Sequence, residues 1–280
     1  MVDDGSTDGT FESVSHLPSP LNLRCYCITN SGPGAARNYG AEYAKGNILI
    51  FLDADMIPHM DLINQYLIAH QTFPNTILIG RILACQYAYS TLFDRVTGIE
   101  NFHDLGTDSR VVSFYHLTSG NFSIGLDLFY SLHGFDEDLK MTEDTDLGYR
   151  AFKQGIAIKY TPGAIGYHNH PKSFQQRCAS TRLSAYWTSI LFHKHPQMRS
   201  LLPIYNDVQP IAWEKDKISL SIRKLGRRFL SLKIVCMTLK MLVQFLEKYY
   251  PNPSLLRPLY WKILSAYRII GYREGLSERL

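Results

Sequence analysis

The chain has 280 residues, of which 45% are hydrophobic and 19% are charged, which is typical of a globular protein with one large domain, or with one domain and an appendage. The 29 basic and 25 acidic side chains leave a net charge of only +4, which argues against nucleic acid as a partner. The five cysteines are odd in number and lack the spacing of a zinc site, so we expect free thiols and a cytoplasmic location.

Strands and helices alternate along the first 84 residues. The predicted strands are 21–28, 47–54 and 76–84, and the predicted helices are 33–46 and 60–73. This alternation predicts an α/β domain with a mostly parallel central sheet flanked by helices. Ligands of such sheets bind beyond the carboxyl ends of the strands. Asp3, Asp4, Asp53 and Asp55 are all expected at that position.

The second part of the chain becomes increasingly helical. The predicted elements are a helix over 88–102, a strand, a helix and a turn within 118–139, a helix over 143–155, an extended pair at 156–162 and 164–170, and helices from 174 onward. Within 225–246 the apolar residues form one continuous helical stripe. No window of about 20 residues is apolar and free of charge, so no membrane-spanning helix is expected.

Two acidic stretches follow predicted strands. In Asp53–Ala54–Asp55, two carboxylates one residue apart provide the oxygen ligands that a hard divalent cation requires, and such a cation can neutralise a diphosphate. The same residues are also common in a solvated turn. In VDDGSTDGT (2–10), Asp3 or Asp4 can accept hydrogen bonds from a nucleobase or a ribose, or the segment is a strand–turn–helix corner.

Two further motifs lie later in the chain. In TEDTD, Thr142 is a candidate N-cap, with Glu143 and Asp144 in the first helical turn, where the helix dipole stabilises an ionised carboxylate. A carboxylate placed in this way can also act as a general base. In YHNHP, His168 and His170 lie on one side of an extended segment, either as surface residues or as partners of Asp55 in a metal site.

The motifs occur in a familiar order, which is VDDGSTDGT, GPGAARNYGAEYAKGNILIFLDAD, SGNFSIGLDLFYSLHGFDEDL, EDTDLGYRAFKQG and YHNH. In this order and spacing the chain resembles the family 2 glycosyltransferases of GT-A fold, over roughly residues 2–195. The resemblance implies a GT-A glycosyltransferase domain over 1–195, followed by a C-terminal helical extension over 196–280.

The resemblance also implies roles for individual residues. The residues similar to those that contact the nucleotide and the sugar of the donor are Asp3, Asp4, Arg37, Asn38, Asp53, Gly120 and Asn121. The residues similar to the ligands of a Mn²⁺ or Mg²⁺ ion are Asp53, Asp55 and His168 or His170. Glu143 and Asp144 match the E-D motif, in which Asp144 is the catalytic base.

The implied activity is the metal-assisted transfer of a sugar from a nucleotide-diphosphate donor, by default a UDP-sugar, with inversion at the anomeric carbon. The implied acceptor is a hydroxyl of a glycan or of a lipid-linked glycan, as in polysaccharide synthesis for the cell envelope. The chain lacks the Q-x-x-R-W motif of processive synthases, which favours single addition. The basic and apolar segment 221–272 either packs on the catalytic domain or contacts an anionic membrane surface from the cytoplasmic side.

The start of the chain departs from the family pattern, because a strand and a helix usually precede V-D-D-G-S. Without that strand we expect unpaired backbone groups at a sheet edge. A misplaced start or a gene fragment explains this, and so does a glycosyltransferase-like binding or scaffold protein with impaired catalysis. A nucleotidyltransferase is a third reading, but no glycine-rich loop bearing arginine and lysine lies near the N-terminus.

Overall fold

The computed structural model describes residues 1–18, 22–85, 91–98, 104–169, 171–202, 208 and 211–277. It divides into two compact units, the first comprising Met1–Cys85 and Asn101–Asn169, and the second Gln86–Glu100 and His170–Leu280. The units therefore divide at other positions than the predicted boundary at 195/196. The assignment of the catalytic domain to 1–195 and of the extension to 196–280 stays a prediction.

The described residues contain strands in the first unit alone. They are β1 (Val2–Asp3), β2 (Tyr26–Cys27), β3 (Ile48–Leu52), β4 (Met56–Pro58), β5 (Ile77–Ala84), β6 (Arg110–Val112), β7 (Asn121–Gly125) and β8 (Ile158–His168). The helices are α1 (Thr10–Ser15), α2 (Pro33–Glu42), α3 (Leu62–Thr72), α4 (Leu92–Thr97), α5 (Leu126–Ser131), α6 (Glu143–Lys153), α7 (Phe174–Lys194), α8 (Ile218–Leu230), α9 (Lys233–Tyr249) and α10 (Pro253–Ser277). Short 3₁₀ turns lie at Phe114–His116 and Pro196–Ser200.

The central sheet has the strand order β3-β7-β5-β8-β4, and β6 also pairs with β8. The α/β class is confirmed, but the expectation of a mostly parallel sheet is wrong for the described strands. Only β5 and β8 pair in parallel within this sheet, and the other pairs are antiparallel. Strands β3 and β5 do run in the same direction, as the helix α3 between them predicts. Strand β7, which is distant in sequence, lies between them and is antiparallel to both. The alternation of strands and helices along the chain could not indicate this insertion.

Several local predictions need correction. The segment 21–28 forms a strand only at Tyr26–Cys27, which pairs in parallel with β1 in a separate two-stranded sheet. The two predicted segments 156–162 and 164–170 are one continuous strand, β8, rather than a pair. Of the helix predicted over 88–102, Leu92–Thr97 is observed as α4. Residues 88–90, 99–102 and His170 lie outside the described part of the chain.

A layer of aromatic rings supports the sheet in the first unit. Phe51 of β3 stacks on Phe122 of β7 with ring centroids 4.7 Å apart, and Phe129 and Phe135 pack on Phe51 at 5.4 Å. Such contacts add to the burial of apolar surface. Because Phe51 precedes Asp53 by two residues, this layer fixes the end of β3 at which the acidic stretch begins.

Buried helices form the core of the second unit. Helix α10 packs against α7, α8 and α9, and its Tyr260 lies against Phe93 and Phe174. The stripe predicted over 225–246 is not continuous, because α8 ends at Leu230 and α9 begins at Lys233. Cys236 and Val243 are buried in this core.

Gly80 of β5 gives a direct test of the packing in the first unit. A Cβ atom there would lie 2.3 Å from the Ala164 carbonyl oxygen and the Asn121 Nδ2, and 2.6 Å from the Tyr66 hydroxyl. We expect Gly80→Ala to lower the free energy of unfolding by about 1–3 kcal/mol through overpacking. Gly226→Ala is the control, since its Cβ would meet open space in α8. Urea unfolding measures both variants, and equal stabilities would contradict the packing described.

Candidate active site

Arg37 joins two acidic segments that are distant in sequence. Its guanidinium donates to Asp53 Oδ1 at 2.6 Å and to Glu143 Oε1 at 2.7 Å, and it lies 5.6 Å from the centre of the Phe135 ring. Burial would lower the pKa of Arg37, but the charges of Asp53 and Glu143 outweigh it and raise that pKa. Helix α2 therefore holds the end of β3 beside the start of α6 through Arg37.

Asp144 lies next to this network, at the N-terminus of α6. Its Oδ1 accepts a hydrogen bond from the Thr145 N–H at 2.6 Å, and its Oδ2 accepts a long one from the Ser119 N–H at 3.4 Å. Burial, and then the charge of Glu143, raise the pKa of Asp144 to about 7. A carboxyl with such a pKa is suited to exchange a proton near neutral pH.

Thr142 precedes this pair of carboxylates in an unusual conformation. It occupies the N-cap position predicted for it, but its φ is 68° and its side chain makes no capping hydrogen bond. Its buried Oγ1 has no hydrogen-bond partner among the described residues. The prediction that its hydroxyl caps α6 is therefore wrong. The backbone of this β-branched residue is held instead in the left-handed region, which is rare. Such strain is often found beside functional groups.

The structure brings together the predicted metal ligands Asp55 and His168. Strand β4 pairs with β8 so that Met56 lies opposite His168, and this register sets His168 Nε2 3.4 Å from Asp55 Oδ2. Asp53, the third predicted ligand, bonds Arg37 instead. In the part of the chain that the structure describes, no group of three or more metal-ligating side chains occurs.

A divalent ion fits this donor set when part of its coordination comes from elsewhere. A carboxylate and an imidazole suit Mn²⁺, and Mg²⁺ is commonly held by one or two carboxylates together with substrate phosphates and water. Two converging side chains, Asp55 and His168, meet that requirement for a metal that arrives with a diphosphate.

Asp3 and Asp4 hold the loops near the first strand. The Ser6 N–H donates to Asp3 Oδ1 at 2.7 Å, and this bond lowers the pKa of Asp3. Asp4 accepts from the backbone N–H groups of Ser31 at 2.7 Å and Gly32 at 2.8 Å, immediately before α2. Contact of either residue with a nucleoside stays a prediction.

Two other residues predicted to contact the donor are engaged within the protein. Asn121 is fully buried, accepts from the Tyr66 hydroxyl at 2.8 Å and donates to two backbone carbonyls, so direct contact with a ligand disagrees with its position. Asn38 bonds the backbone N–H and C=O of Phe135. Both amides fix the chain around the site. Gly120 remains beside the site, since a Cβ there would lie 3.1 Å from Asp53 Oδ2.

Sequence reasoning missed Ser119 and the bridging role of Arg37. Ser119 is buried, and it reaches Asp144 through its N–H and Glu143 through its hydroxyl, each at 3.4 Å. Its place one residue before Gly120 was the only available signal. Nothing in the spacing of Arg37 and Glu143 indicates that they meet.

Two solved structures of other proteins share the fold of this chain. A mannosyltransferase from Pyrobaculum calidifontis, in complex with GDP-Man and Mn²⁺, has a TM-score of 0.57 at 18% identity, covering 100% of this chain and 77% of that one. Residues 1–349 of TarS from S. aureus, in complex with UDP-GlcNAc, give a TM-score of 0.50 at 18% identity, covering 98% and 82%. These likenesses show the GT-A glycosyltransferase fold.

Sequence comparisons find similarity to glycosyltransferases. Residues 1–126 match the model of glycosyl transferase family 2. A pre-mycofactocin glycosyltransferase of Mycobacterium tuberculosis is 25% identical over 209 residues, covering 73% of this chain and 44% of that protein. The chondroitin synthase of Escherichia coli is 24% identical over 205 residues, covering 61% and 30%. The chain thus spans less than half the length of these curated relatives.

Removing the charge of Arg37 tests the network. We expect Arg37→Met to lower the free energy of unfolding at pH 7 by about 2 kcal/mol, because it leaves the buried Glu143 without its cation. It should also raise the pKa of Asp144, which the Arg37 charge lowers. Urea unfolding and a carbon-13 titration of the carboxyl groups measure the two effects.

Arg110→Met is the matched control, because Arg110 is exposed and its side chain donates to the Leu105 carbonyl, away from Asp144. An unchanged Asp144 titration in Arg37→Met would contradict the proximity of these groups.

Proposed function

We propose that this chain transfers a sugar from a nucleotide-diphosphate donor, by default a UDP-sugar, to a hydroxyl of a glycan or of a lipid-linked glycan, with inversion at the anomeric carbon. The observation that carries the proposal is the convergence of Asp53, Arg37, Glu143 and Asp144 in one unit. A UDP-GlcNAc complex and a GDP-Man complex among the proteins of the same fold support a nucleotide-sugar donor.

Asp144 is assigned as the general base. Its ionised carboxylate takes the proton of the acceptor hydroxyl while that oxygen forms a bond to the anomeric carbon. The bond from this carbon to the diphosphate breaks in the same step, and the nucleoside diphosphate leaves with the electron pair. One displacement at one carbon inverts its configuration. Glu143 and Arg37 hold α6 so that Asp144 faces the site.

Asp55 and His168 would hold the Mn²⁺ or Mg²⁺ ion, and Asp53 would reach it or the ribose by exchanging its bond with Arg37. A divalent ion supplies stabilisation of the negative charge on a diphosphate. Asp3 and Asp4 are assigned to the nucleoside, and Gly120 to the backbone that lies along the sugar. Asn38 and Asn121 position those segments from within the protein.

The setting is proposed to be the cytoplasm, with a role in polysaccharide synthesis for the cell envelope. A nucleotide-binding or scaffold protein with impaired catalysis is the alternative reading. The two readings predict the same nucleotide binding but differ in transfer, so binding and turnover must be measured separately.

Calorimetric titration with UDP tests the site directly. We expect binding that is strengthened by Mn²⁺, and we expect Asp55→Ala to remove that dependence, since a carboxylate ligand typically contributes tenfold or more to metal affinity, about 1.4 kcal/mol. Asp138→Ala is the control, because Asp138 is an exposed aspartate of the same unit. GDP is titrated in parallel to decide the nucleotide. Metal-dependent binding that survives in Asp55→Ala would remove Asp55 from the metal site.

The second test concerns Asp144. A base must be ionised, and the pKa of this carboxyl is about 7, so we expect the rate of transfer to rise with pH through about 7 and then level off. Asp144→Asn should keep nucleotide affinity and lower turnover by about 10²–10⁴-fold. Turnover is measured as release of UDP from candidate donors with and without acceptors. Loss of UDP binding in Asp144→Asn would refute the assigned role, and binding without any turnover in the unmodified chain would favour the scaffold reading.

A further inference from the structure

Helix α8 buries polar residues and exposes apolar ones, which is the reverse of the usual arrangement in a helix that packs on a protein core. Its most buried residues are Ser221 and Lys224, whereas Ile222 is 66% exposed. Lys224 is 4% exposed and donates to Asp216 Oδ2 at 2.7 Å. Apolar side chains normally seek the interior, and a buried lysine requires a partner. The ion pair therefore fixes α8 to its unit by a polar face.

The exposed apolar residues of α8 share one face. Ile218, Ile222, Leu225 and Phe229 recur at intervals of four, three and four residues, and each is more than half exposed. This spacing places them along a single stripe of the helix.

Helix α9 continues the pattern. Ile234, Met237, Met241 and Phe245 follow the same helical spacing and are also exposed, whereas Cys236 and Val243 on another side are buried against the core. Two amphipathic helices, joined at Ser231–Leu232, thus present apolar stripes to solvent. We call the exposed apolar residues of α8 and α9 the outer face.

The segment that carries the outer face is basic. Residues 218–249 contain seven lysines and arginines and one acidic residue, whereas the whole chain has a net charge of only +4. The remainder of the chain is therefore net negative. A cavity of about 770 Å³ adjoins this face in the second unit, and Met237 and Met241 line it together with Lys233 and Lys240.

From this combination we propose that the outer face docks on an anionic lipid surface, with α8 and α9 lying in the plane of the membrane interface. Exposed apolar stripes with flanking lysine and arginine are what such interfacial helices require. A second copy of this chain is a poorer occupant, because a symmetric contact would bring two strongly basic segments together.

The lengths of α8 and α9 also favour helices that lie in the membrane interface over helices that cross the membrane. Among the described residues, no single helix is long and apolar enough to cross a membrane; α8 and α9 reach the required length and hydropathy only together, and they are bent by 76° at their junction. The segment 253–272, also expected to contact the membrane, belongs to α10, whose Leu256, Tyr260 and Ile263 are buried. The docking surface is thus narrower than the predicted 221–272.

The proposal stands apart from sugar transfer, because vesicle binding is measured without donor or acceptor. The full chain is mixed with vesicles of phosphatidylcholine alone or with about 30% phosphatidylglycerol, and the bound fraction is determined by flotation. We expect binding about tenfold or more tighter to the anionic vesicles, and weaker as NaCl rises from about 0.1 to about 0.5 M.

Paired variants separate the outer face from general adhesion. Ile222→Ser/Phe229→Ser should weaken binding to anionic vesicles about tenfold or more. Leu183→Ser/Leu276→Ser is the matched control, since these leucines are comparably exposed on α7 and α10 of the same unit, and it should change binding less than about twofold. Circular dichroism and thermal unfolding confirm that both variants fold.

Three results would overturn the proposal. One is equal vesicle binding by the Ile222→Ser/Phe229→Ser variant and the unmodified chain. Another is no preference of the unmodified chain for anionic vesicles. The third is absent vesicle binding together with a dimer, seen by analytical ultracentrifugation, that dissociates in the Ile222→Ser/Phe229→Ser variant, which would assign the outer face to a second copy.

Discussion

The candidate site depends on one cation between two carboxylates. Arg37 bonds Asp53 at the end of β3 and Glu143 at the start of α6, two segments 90 residues apart in the chain. Without the arginine, Asp53, Glu143 and Asp144 would place three acidic groups together with too little positive charge, which is costly in a half-buried setting. The two ion pairs therefore set the geometry of the site, and the charge of Arg37 partly opposes the rise in the pKa of Asp144 that burial and Glu143 cause.

The same arrangement explains why adjacent carboxylates can differ in behaviour. Glu143 is paired with Arg37 and accepts a hydrogen bond from the Ser119 hydroxyl. Asp144 instead accepts hydrogen bonds from backbone N–H groups, and the charge of the adjacent Glu143 raises its pKa. The surroundings of Asp144 thus favour a titrating role near neutral pH, beside a carboxylate that is held by Arg37. Two titratable neighbours with separated roles are a common basis for acid and base chemistry.

Much of the site could be predicted from the sequence because its motifs follow the ends of predictable elements. The positions of Asp53, Asp55 and Asp144 agree with a strand end and a helix start, and Asp55 does meet His168. The role of Asn121 could not be predicted in this way, because a polar residue after a glycine is typical of a ligand contact. In the structure its amide is buried and bonds Tyr66 and the Ala164 carbonyl, so it stabilises the fold instead. The antiparallel insertion of β7 is equally non-local, since no short-range pattern specifies which distant strand enters a sheet.

Helix α8 shows a different limit of sequence reasoning. Its sequence has the periodicity of an apolar stripe, and the usual inference is that such a stripe faces the core. That inference assumes that the only apolar environment available is the interior of the same protein. The ion pair between the buried Lys224 and the partly buried Asp216 opposes it, because a lysine is held inside while isoleucine and phenylalanine remain outside. Helix α8 is therefore held to its unit by its polar face. Its apolar face stays exposed, and burying that face in a second apolar environment would be favourable.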